Sequence, residues 1–130
     1  MFRKIAAVAA GLATWVIVAS ILDRLLRASW PDYAAALPSM QFTLQMMAAR
    51  LTEGAIATFA AGYVCGWIAP RAWLFASAQA ALLLMMFLPV HYQLWAKFPV
   101  WYHVTFLISL AVLTLLGAAA ASRERGGASG

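Results

Sequence analysis

Charged residues divide this sequence into four long uncharged runs. The runs cover residues 5–22, 54–70, 72–96 and 98–122, with lengths of 18, 17, 25 and 25 residues. About 20 residues of α-helix cross the hydrocarbon core of a bilayer, and a range of about 17–25 is tolerated. Each run is therefore long enough to span a membrane.

Prolines and charges set the limits of the helices that we predict within these runs. The four helices lie at about residues 5–26, 42–69, 72–88 and 100–121. Pro89 is expected to end the third helix, because proline removes a backbone hydrogen bond. Residues 1–122 then form a single transmembrane domain, and residues 123–130 have the small and polar composition of a disordered tail. The predicted fold class is all-α, a polytopic membrane protein built as a four-transmembrane-helix bundle.

The amino-acid composition supports a membrane protein over a soluble one. Hydrophobic residues make up 65% of the chain and charged residues 10%, against roughly 45–50% and about 25% in soluble domains. These charged side chains are too few to cover the surface of a soluble domain of this length. The apolar part of the surface must therefore face lipid. The formal net charge is +5, but the basic residues are scattered singly, without the stripe that binds nucleic acid. We therefore predict membrane lipids as partners, and no nucleic acid.

Four spans place both termini on one side of the membrane. The two aromatic loops, which are the first loop (residues 28–38) and the third loop (residues 91–99), lie on the other side. Lys and Arg number five on the terminal side and four on the loop side, which favours cytoplasmic termini by the positive-inside rule. Arg outnumbers Lys seven to two, and Ala is abundant, as is typical of proteins from GC-rich bacterial genomes. The predicted location is the bacterial inner membrane.

Small residues recur at every fourth position of the second predicted helix. They are Gly54, Thr58, Gly62 and Gly66, and the last two form a GxxxG motif. Helices in lipid associate by close backbone approach along such ridges. We expect this helix-packing ridge to contact another helix of the same bundle, with a homodimer seam as the alternative. Ala7 with Gly11, or Ala76 with Ala80, are the candidate opposing surfaces.

Arg50 and Glu53 place two charges close to membrane depth. They lie three residues apart, so they share one helix face, and an uncompensated charge at this depth costs roughly 2.5–3.5 kcal/mol. One interpretation is an internal ion pair that orients this helix against Asp23, Arg24 and Arg27 of the first helix. The other is a polar site for a ligand or a proton.

Further polar and aromatic residues fall on the same side of the membrane. His91 and His103 flank the third loop, and with Asp23, Trp95 and Tyr102 they are candidates to line one polar–aromatic vestibule beside Arg50 and Glu53. Lone histidines are more often interfacial hydrogen-bonding groups than ligands. A metal site needs three or four ligands at suitable spacing, and the sequence has no HxxxH, HxxE or Cys–His cluster. We therefore predict neither a metal nor another cofactor.

The third loop and fourth helix carry a family resemblance. The stretches His91–Trp95 and Phe98–His103, followed by a Leu-rich run ending at Gly117, resemble uncharacterised small four-helix bacterial inner-membrane proteins. Those proteins also carry an Arg–Leu pair before a Gly/Ala-rich second helix, here Arg50-Leu51 and Gly54-Ala55. The resemblance implies the fold, and it carries no assigned activity.

Two functions follow as hypotheses from these observations. No Ser–His–Asp arrangement, phosphate-binding glycine loop or HExxH motif occurs, so the first is a non-enzymatic accessory, scaffold or ligand-binding membrane protein. It leaves open a homo-oligomer or a membrane-protein partner. The alternative is a carrier or enzyme for a lipid, quinone or other amphiphile, using a site at the non-cytoplasmic interface. It predicts a cavity that joins Arg50, Glu53, His91 and His103.

Overall fold

The computed structural model describes residues 2–69 and 71–129, and all of the regular secondary structure in these residues is helical. The elements are α1 (Phe2–Ser29), α2 (Pro31–Ala36), α3 (Leu44–Ile68), α4 (Ala72–Gln93), a 3₁₀ turn (Trp95–Lys97) and α5 (Val100–Ser129). These described residues contain no β-strand. The all-α prediction is confirmed, and the four predicted helices correspond to α1, α3, α4 and α5.

Within residues 2–69 and 71–129, three helices are long and apolar enough to cross a membrane. They are Phe2–Ser29, Ala72–Gln93 and Val100–Gly126. Their outer faces expose large apolar side chains such as Ile17, Leu74, Met85 and Ile108, as surfaces that face lipid do. The architecture is that of a helical membrane protein. The helix α3 is not among the three, because glycines, threonines and two charges interrupt its apolar sequence.

Helix α3 occupies the centre of the bundle and packs most extensively against α5 and α1. A Cβ atom added at Gly62 would lie 2.8 Å from the Cα atom of Thr114, and one added at Gly66 would lie 2.6 Å from that of Ala118. Real Cβ atoms do not approach backbone this closely. The glycines of α3 therefore contact α5, not the positions on α1 or α4 that we considered as opposing surfaces.

A neighbouring face of α3 packs against α1 through another set of small residues. Ala7 clusters with Cys65 and Ala69 in a fully buried layer, and a Cβ atom at Gly11 would lie 3.0 Å from the carbonyl oxygen of Ala61. Small side chains on both sides let α3 approach two helices at once, which is how helices associate where lipid provides no hydrophobic driving force.

Two arginines cap the end of α3. The Nε atom of Arg3 donates a hydrogen bond to the carbonyl oxygen of Ile68 at 2.7 Å, and Nη1 of Arg125 donates to that of Trp67 at 3.2 Å. The last carbonyls of a helix have no partner within the helix and carry partial negative charge. Both chain ends are thereby attached to the same end of α3.

The helices α4 and α5 extend beyond their predicted ends. Pro89 lies inside α4, which continues to Gln93; proline removes one hydrogen bond, and membrane helices tolerate this loss. Helix α5 continues through Ser129, although we predicted a disordered tail from residue 123. The hydroxyl of Tyr63 donates to Glu124, and this contact with α3, with that of Arg125, supports the extra turns. The predicted Pro70 connection and Gly130 lie outside the described residues.

Candidate functional site

Arg50 lies in a box of four aromatic rings near the start of α3. Its Nε atom donates a hydrogen bond to the hydroxyl of Tyr102 at 3.2 Å, and its Nη1 atom donates to the hydroxyl of Tyr33 at 2.9 Å. The guanidinium carbon is 4.9 Å from the ring centre of Phe42 and 5.9 Å from that of Phe98. Hydroxyl oxygens and ring faces therefore compensate this charge.

The box is assembled from segments that are distant in the sequence. Tyr33, on α2, is fully buried and stacks on Phe42 with 5.4 Å between ring centres. Phe42 stacks on Phe98 at 5.8 Å, and Phe98 stacks on Tyr102 at 4.5 Å. Burial raises the pKa of the Tyr33 hydroxyl, so this phenol stays neutral. The stack holds both loops over the bundle and around Arg50.

The two acidic residues near this level have different surroundings. Asp23 forms a salt bridge with Arg27, one turn away on α1, with 2.7 Å between the charged atoms. This salt bridge is the only ion pair among residues 2–69 and 71–129. Arg50 and Glu53 therefore do not form the ion pair that is one interpretation of the sequence. The Oε1 atom of Glu53 is buried and has no hydrogen-bond partner in the described part of the chain. One carboxylate is therefore satisfied, and the other is not.

A cavity of about 280 Å³ lies beside Glu53, between α1, α3, α4 and α5. Asp23, Arg50 and Glu53 form its polar end. Its remaining walls are mainly apolar or aromatic, formed by Trp15, Val16, Ala19, Ser20, Gly54, Phe87, Tyr102 and Phe106. We call this space the first cavity. Its combination of a charged end and aromatic walls suits an amphiphilic molecule.

Hydrogen bonds and ring contacts position the aromatic wall of the first cavity. The indole Nε1 of Trp15 donates to Oγ1 of Thr58 at 2.9 Å, and that hydroxyl donates to the carbonyl oxygen of Gly54 at 2.6 Å. The ring of Phe87 lies 4.8 Å from that of Trp15 and 5.2 Å from that of Phe106. Thr58, which we predicted only as a small packing residue, thus also orients a wall of the cavity.

The two histidines form a buried pair next to this wall. Their Nδ1 atoms are 2.6 Å apart, and His103 is fully buried while His91 is 6% exposed. The Nε2 atom of His103 contacts the carbonyl oxygen of Trp95 at 3.3 Å, and the Trp95 ring stacks on the His103 ring at 4.7 Å. The ring of His91 lies 4.7 Å from that of Phe106.

A second cavity, of about 460 Å³, lies on the other side of the histidine pair. Its lining consists of Leu88, Pro89, His91, Tyr92, Gln93, Trp95 and Leu107. Of the seven predicted site residues, four line the first cavity, namely Asp23, Arg50, Glu53 and Tyr102. His91 and Trp95 line the second cavity, and His103 lies behind them. The single vestibule that we expected is therefore divided into two spaces.

Several residues of the site were not predicted from the sequence. Trp15, Phe87 and Phe106 lie within uncharged runs, where a wall residue is indistinguishable from one that faces lipid. Gln79 on α4 lines neither cavity, but it is fully buried against Gly11, and neither of its amide atoms has a partner among the described residues. A polar side chain within an apolar run was the available signal for this residue.

The site does not contain a metal-ligand cluster within the described ranges. No group of three or more His, Cys, Asp or Glu side chains there is close enough to hold an ion. Comparisons of the chain with protein-family models, curated proteins and solved structures give no match. A functional assignment therefore has to rest on the geometry of the two cavities.

Proposed function

We propose that this protein is a non-enzymatic, ligand-binding protein of the bacterial inner membrane, and that its first cavity holds the polar group of a membrane amphiphile. The observation that carries the proposal is the cavity itself, in which Asp23, Arg50 and Glu53 meet aromatic walls. A membrane lipid reaches such a site directly from the bilayer. A carrier or enzyme for a lipid, quinone or other amphiphile is the alternative, and it shares the same binding step.

The unsatisfied groups indicate the chemistry of the ligand. A buried acceptor without a hydrogen bond costs about 1–3 kcal/mol, and more when it is charged, so Glu53 favours a ligand that donates a hydrogen bond or carries a positive charge. Arg50 has five N–H groups and uses two of them on tyrosines. The other three can donate to an anionic or carbonyl group. A headgroup with both kinds of atom fits best.

We also propose that α3 crosses the membrane as a fourth span. Its 25 residues extend about 37 Å, which exceeds the roughly 30 Å hydrocarbon core. Its glycines and Thr58 are buried against neighbouring helices, so these positions need not meet lipid. With four spans, both termini lie on one side, where the larger number of Lys and Arg residues favours the cytoplasm. The first cavity then lies toward the non-cytoplasmic surface.

Filling the first cavity should remove the bound amphiphile. Ser20 is exposed at the rim of the cavity, so Ser20→Phe places a ring there without disturbing the core. We expect the amount of lipid or other amphiphile that co-purifies per mole of protein to fall at least fivefold. Native mass spectrometry of protein extracted from its own membrane, with identification of the released molecules, measures this amount.

Ala13→Phe is the matched control for this experiment. Ala13 is exposed on the same helix and does not line the first cavity, so its variant should retain the parent's ligand. Equal retention by Ser20→Phe and the parent protein would contradict the proposed binding site.

Neutralising Glu53 should weaken retention of the bound amphiphile, because it removes a charge without changing the shape of the first cavity. Glu53→Gln keeps the size of the side chain but removes the carboxylate that the ligand is expected to satisfy. We expect at least a fivefold loss of the co-purifying molecule in the same measurement. Glu124→Gln is the control, because Glu124 contacts Tyr63 at the opposite end of α3. Equal losses in both variants would attribute the effect to net charge instead of the site.

A further inference from the structure

The hydrogens of the histidine pair can be assigned from the groups that surround it. A carbonyl oxygen only accepts hydrogen bonds, so the Nε2 atom of His103 must carry the hydrogen that faces the carbonyl of Trp95. A neutral imidazole has a single N–H group. The Nδ1 atom of His103 therefore has a free lone pair, which it directs at His91.

The same reasoning determines the tautomer of His91. The 2.6 Å separation of the two Nδ1 atoms requires one hydrogen between them, because two bare lone pairs or two N–H groups would repel. Since His103 provides the acceptor, His91 provides the donor through Nδ1–H. The Nε2 atom of His91 is then a bare acceptor, and no residue of the described chain forms a hydrogen bond with it.

The environment of this nitrogen restricts what can bind there. His91 lines the second cavity, whose other walls are mostly apolar and include the rings of Tyr92 and Trp95. Its volume of about 460 Å³ is within the roughly 300–1,000 Å³ of small-molecule pockets. A charged ligand would lose its hydration without gaining a counter-charge from the lining. A neutral, lipid-soluble molecule with a hydroxyl group can pack against the apolar walls and donate a hydrogen bond to Nε2 of His91.

We propose that the second cavity binds a neutral aromatic alcohol, whose hydroxyl group donates a hydrogen bond to Nε2 of His91. His103 and the carbonyl of Trp95 act as positioning groups, since they keep the hydrogen of His91 on Nδ1 and leave Nε2 free. The site is separate from the first cavity, so it does not depend on the proposed function.

A pair of probes that differ in one hydrogen-bond donor tests the proposal. The full-length protein in detergent micelles is titrated with 4-hexylphenol and with 4-hexylanisole, the methyl ether, which lacks the hydroxyl hydrogen. We expect the phenol to bind roughly three- to tenfold more tightly, the range of one neutral hydrogen bond. Partition of each probe into empty micelles is measured and subtracted. Equal affinities for the two probes would overturn the proposal.

Variants assign the preference to His91. His91→Phe should reduce the ratio of the two affinities to about one, and Ser20→Phe, which fills the first cavity, should leave the ratio unchanged. A preference for the phenol that survives in His91→Phe would overturn the assignment to this residue. Because the comparison of the two probes is made first in the parent protein, the test does not require the variant to fold.

Nitrogen-15 NMR of the histidine rings provides an independent readout. The unliganded protein should show a hydrogen on Nδ1 of His91 and on Nε2 of His103, with Nε2 of His91 unprotonated. Adding 4-hexylphenol should move the His91 Nε2 resonance toward that of a hydrogen-bonded nitrogen, and 4-hexylanisole should leave it in place. A hydrogen on Nε2 of His91 in the free protein would overturn the proposed acceptor role.

Discussion

Replacing Gly62 by leucine is expected to prevent stable assembly of the helix bundle. The first atom of the new side chain would lie 2.8 Å from the Cα atom of Thr114 and close to its carbonyl group, and backbone cannot rotate away as a side chain does. Helix α5 would have to separate from α3 along its length. We expect a loss of more than about 3 kcal/mol in the free energy of unfolding, beyond the usual cost of overpacking.

Unfolding in mixed micelles, followed by circular dichroism, measures this effect. Gly126→Leu is the control, because a Cβ atom at Gly126 meets no described atom within 4 Å, and Gly62→Ala should fall between the two. A Gly62→Leu variant that unfolds like the parent protein would contradict the packing. If the parent is a dimer and Gly62→Leu gives a folded monomer, the ridge is a seam between copies, as in the alternative considered from the sequence.

Replacing Arg50 by alanine is expected to release the two loops from the bundle. The change leaves the hydroxyls of Tyr33 and Tyr102 without their charged donor and removes a cation from the faces of Phe42 and Phe98. A hydrogen bond to a charged group contributes about 1.5–3 kcal/mol. Because the loops can relax, we expect the free energy of unfolding to fall by about 3 kcal/mol, the lower end of the sum for two such bonds. Relative to the parent protein, hydrogen exchange in the variant should accelerate more in residues 30–43 than in the centre of α3.

Three variants separate the contributions of Arg50. Arg50→Lys keeps the charge but cannot reach both hydroxyls with one planar fork, so its loss should be intermediate. Tyr33→Phe removes one of the two hydrogen bonds to the charged group and should cost about 1.5 kcal/mol. Arg24→Ala changes an exposed arginine near the end of α1 and should have little effect. Unchanged stability and unchanged exchange in Arg50→Ala would show that the aromatic box is not what holds the loops.

The two cavities suggest different ligands because their polar groups differ. The first has two carboxylates and a guanidinium at one end, so it suits a polar or charged headgroup. The second has a neutral histidine acceptor and mostly apolar walls, so it suits a neutral molecule with one donor. Tyr102 and Phe106 lie between the first cavity and His91, and they keep the two environments apart.

Several site residues were predictable because a charge or imidazole within apolar sequence is costly and needs a reason. Arg50, Glu53 and His91 were identified on this basis. Their partners were not predictable in the same way. Arg50 bonds to Tyr33, 17 residues earlier, and to Tyr102, 52 residues later, although Glu53 is its nearest oppositely charged neighbour on the helix. Spacing along one helix indicates which contacts are available, and it does not rank them against contacts from other segments.

The ends of the helices also depend on contacts between distant segments, which local sequence does not predict. Pro89 was expected to end α4, yet the helix continues to Gln93 because neighbouring helices can accommodate a missing backbone hydrogen bond. The residues from 123 onward were expected to be disordered, and α5 continues through Ser129. Glu124 and Arg125 contact residues of α3 there, and no local property of the tail predicts those contacts.

The sequence by itself determined that this chain is helical and built for lipid, because long uncharged runs must satisfy their backbone hydrogen bonds internally where no water is present. It also determined that close helix packing would use the glycines of α3. Only the tertiary structure decided that α5 meets those glycines, that tyrosines compensate Arg50, and that the polar residues divide between two cavities. Those outcomes depend on how helices rotate against each other. Apolar residues lie on every face of these helices, so the sequence leaves that rotation undetermined until all the helices are packed together.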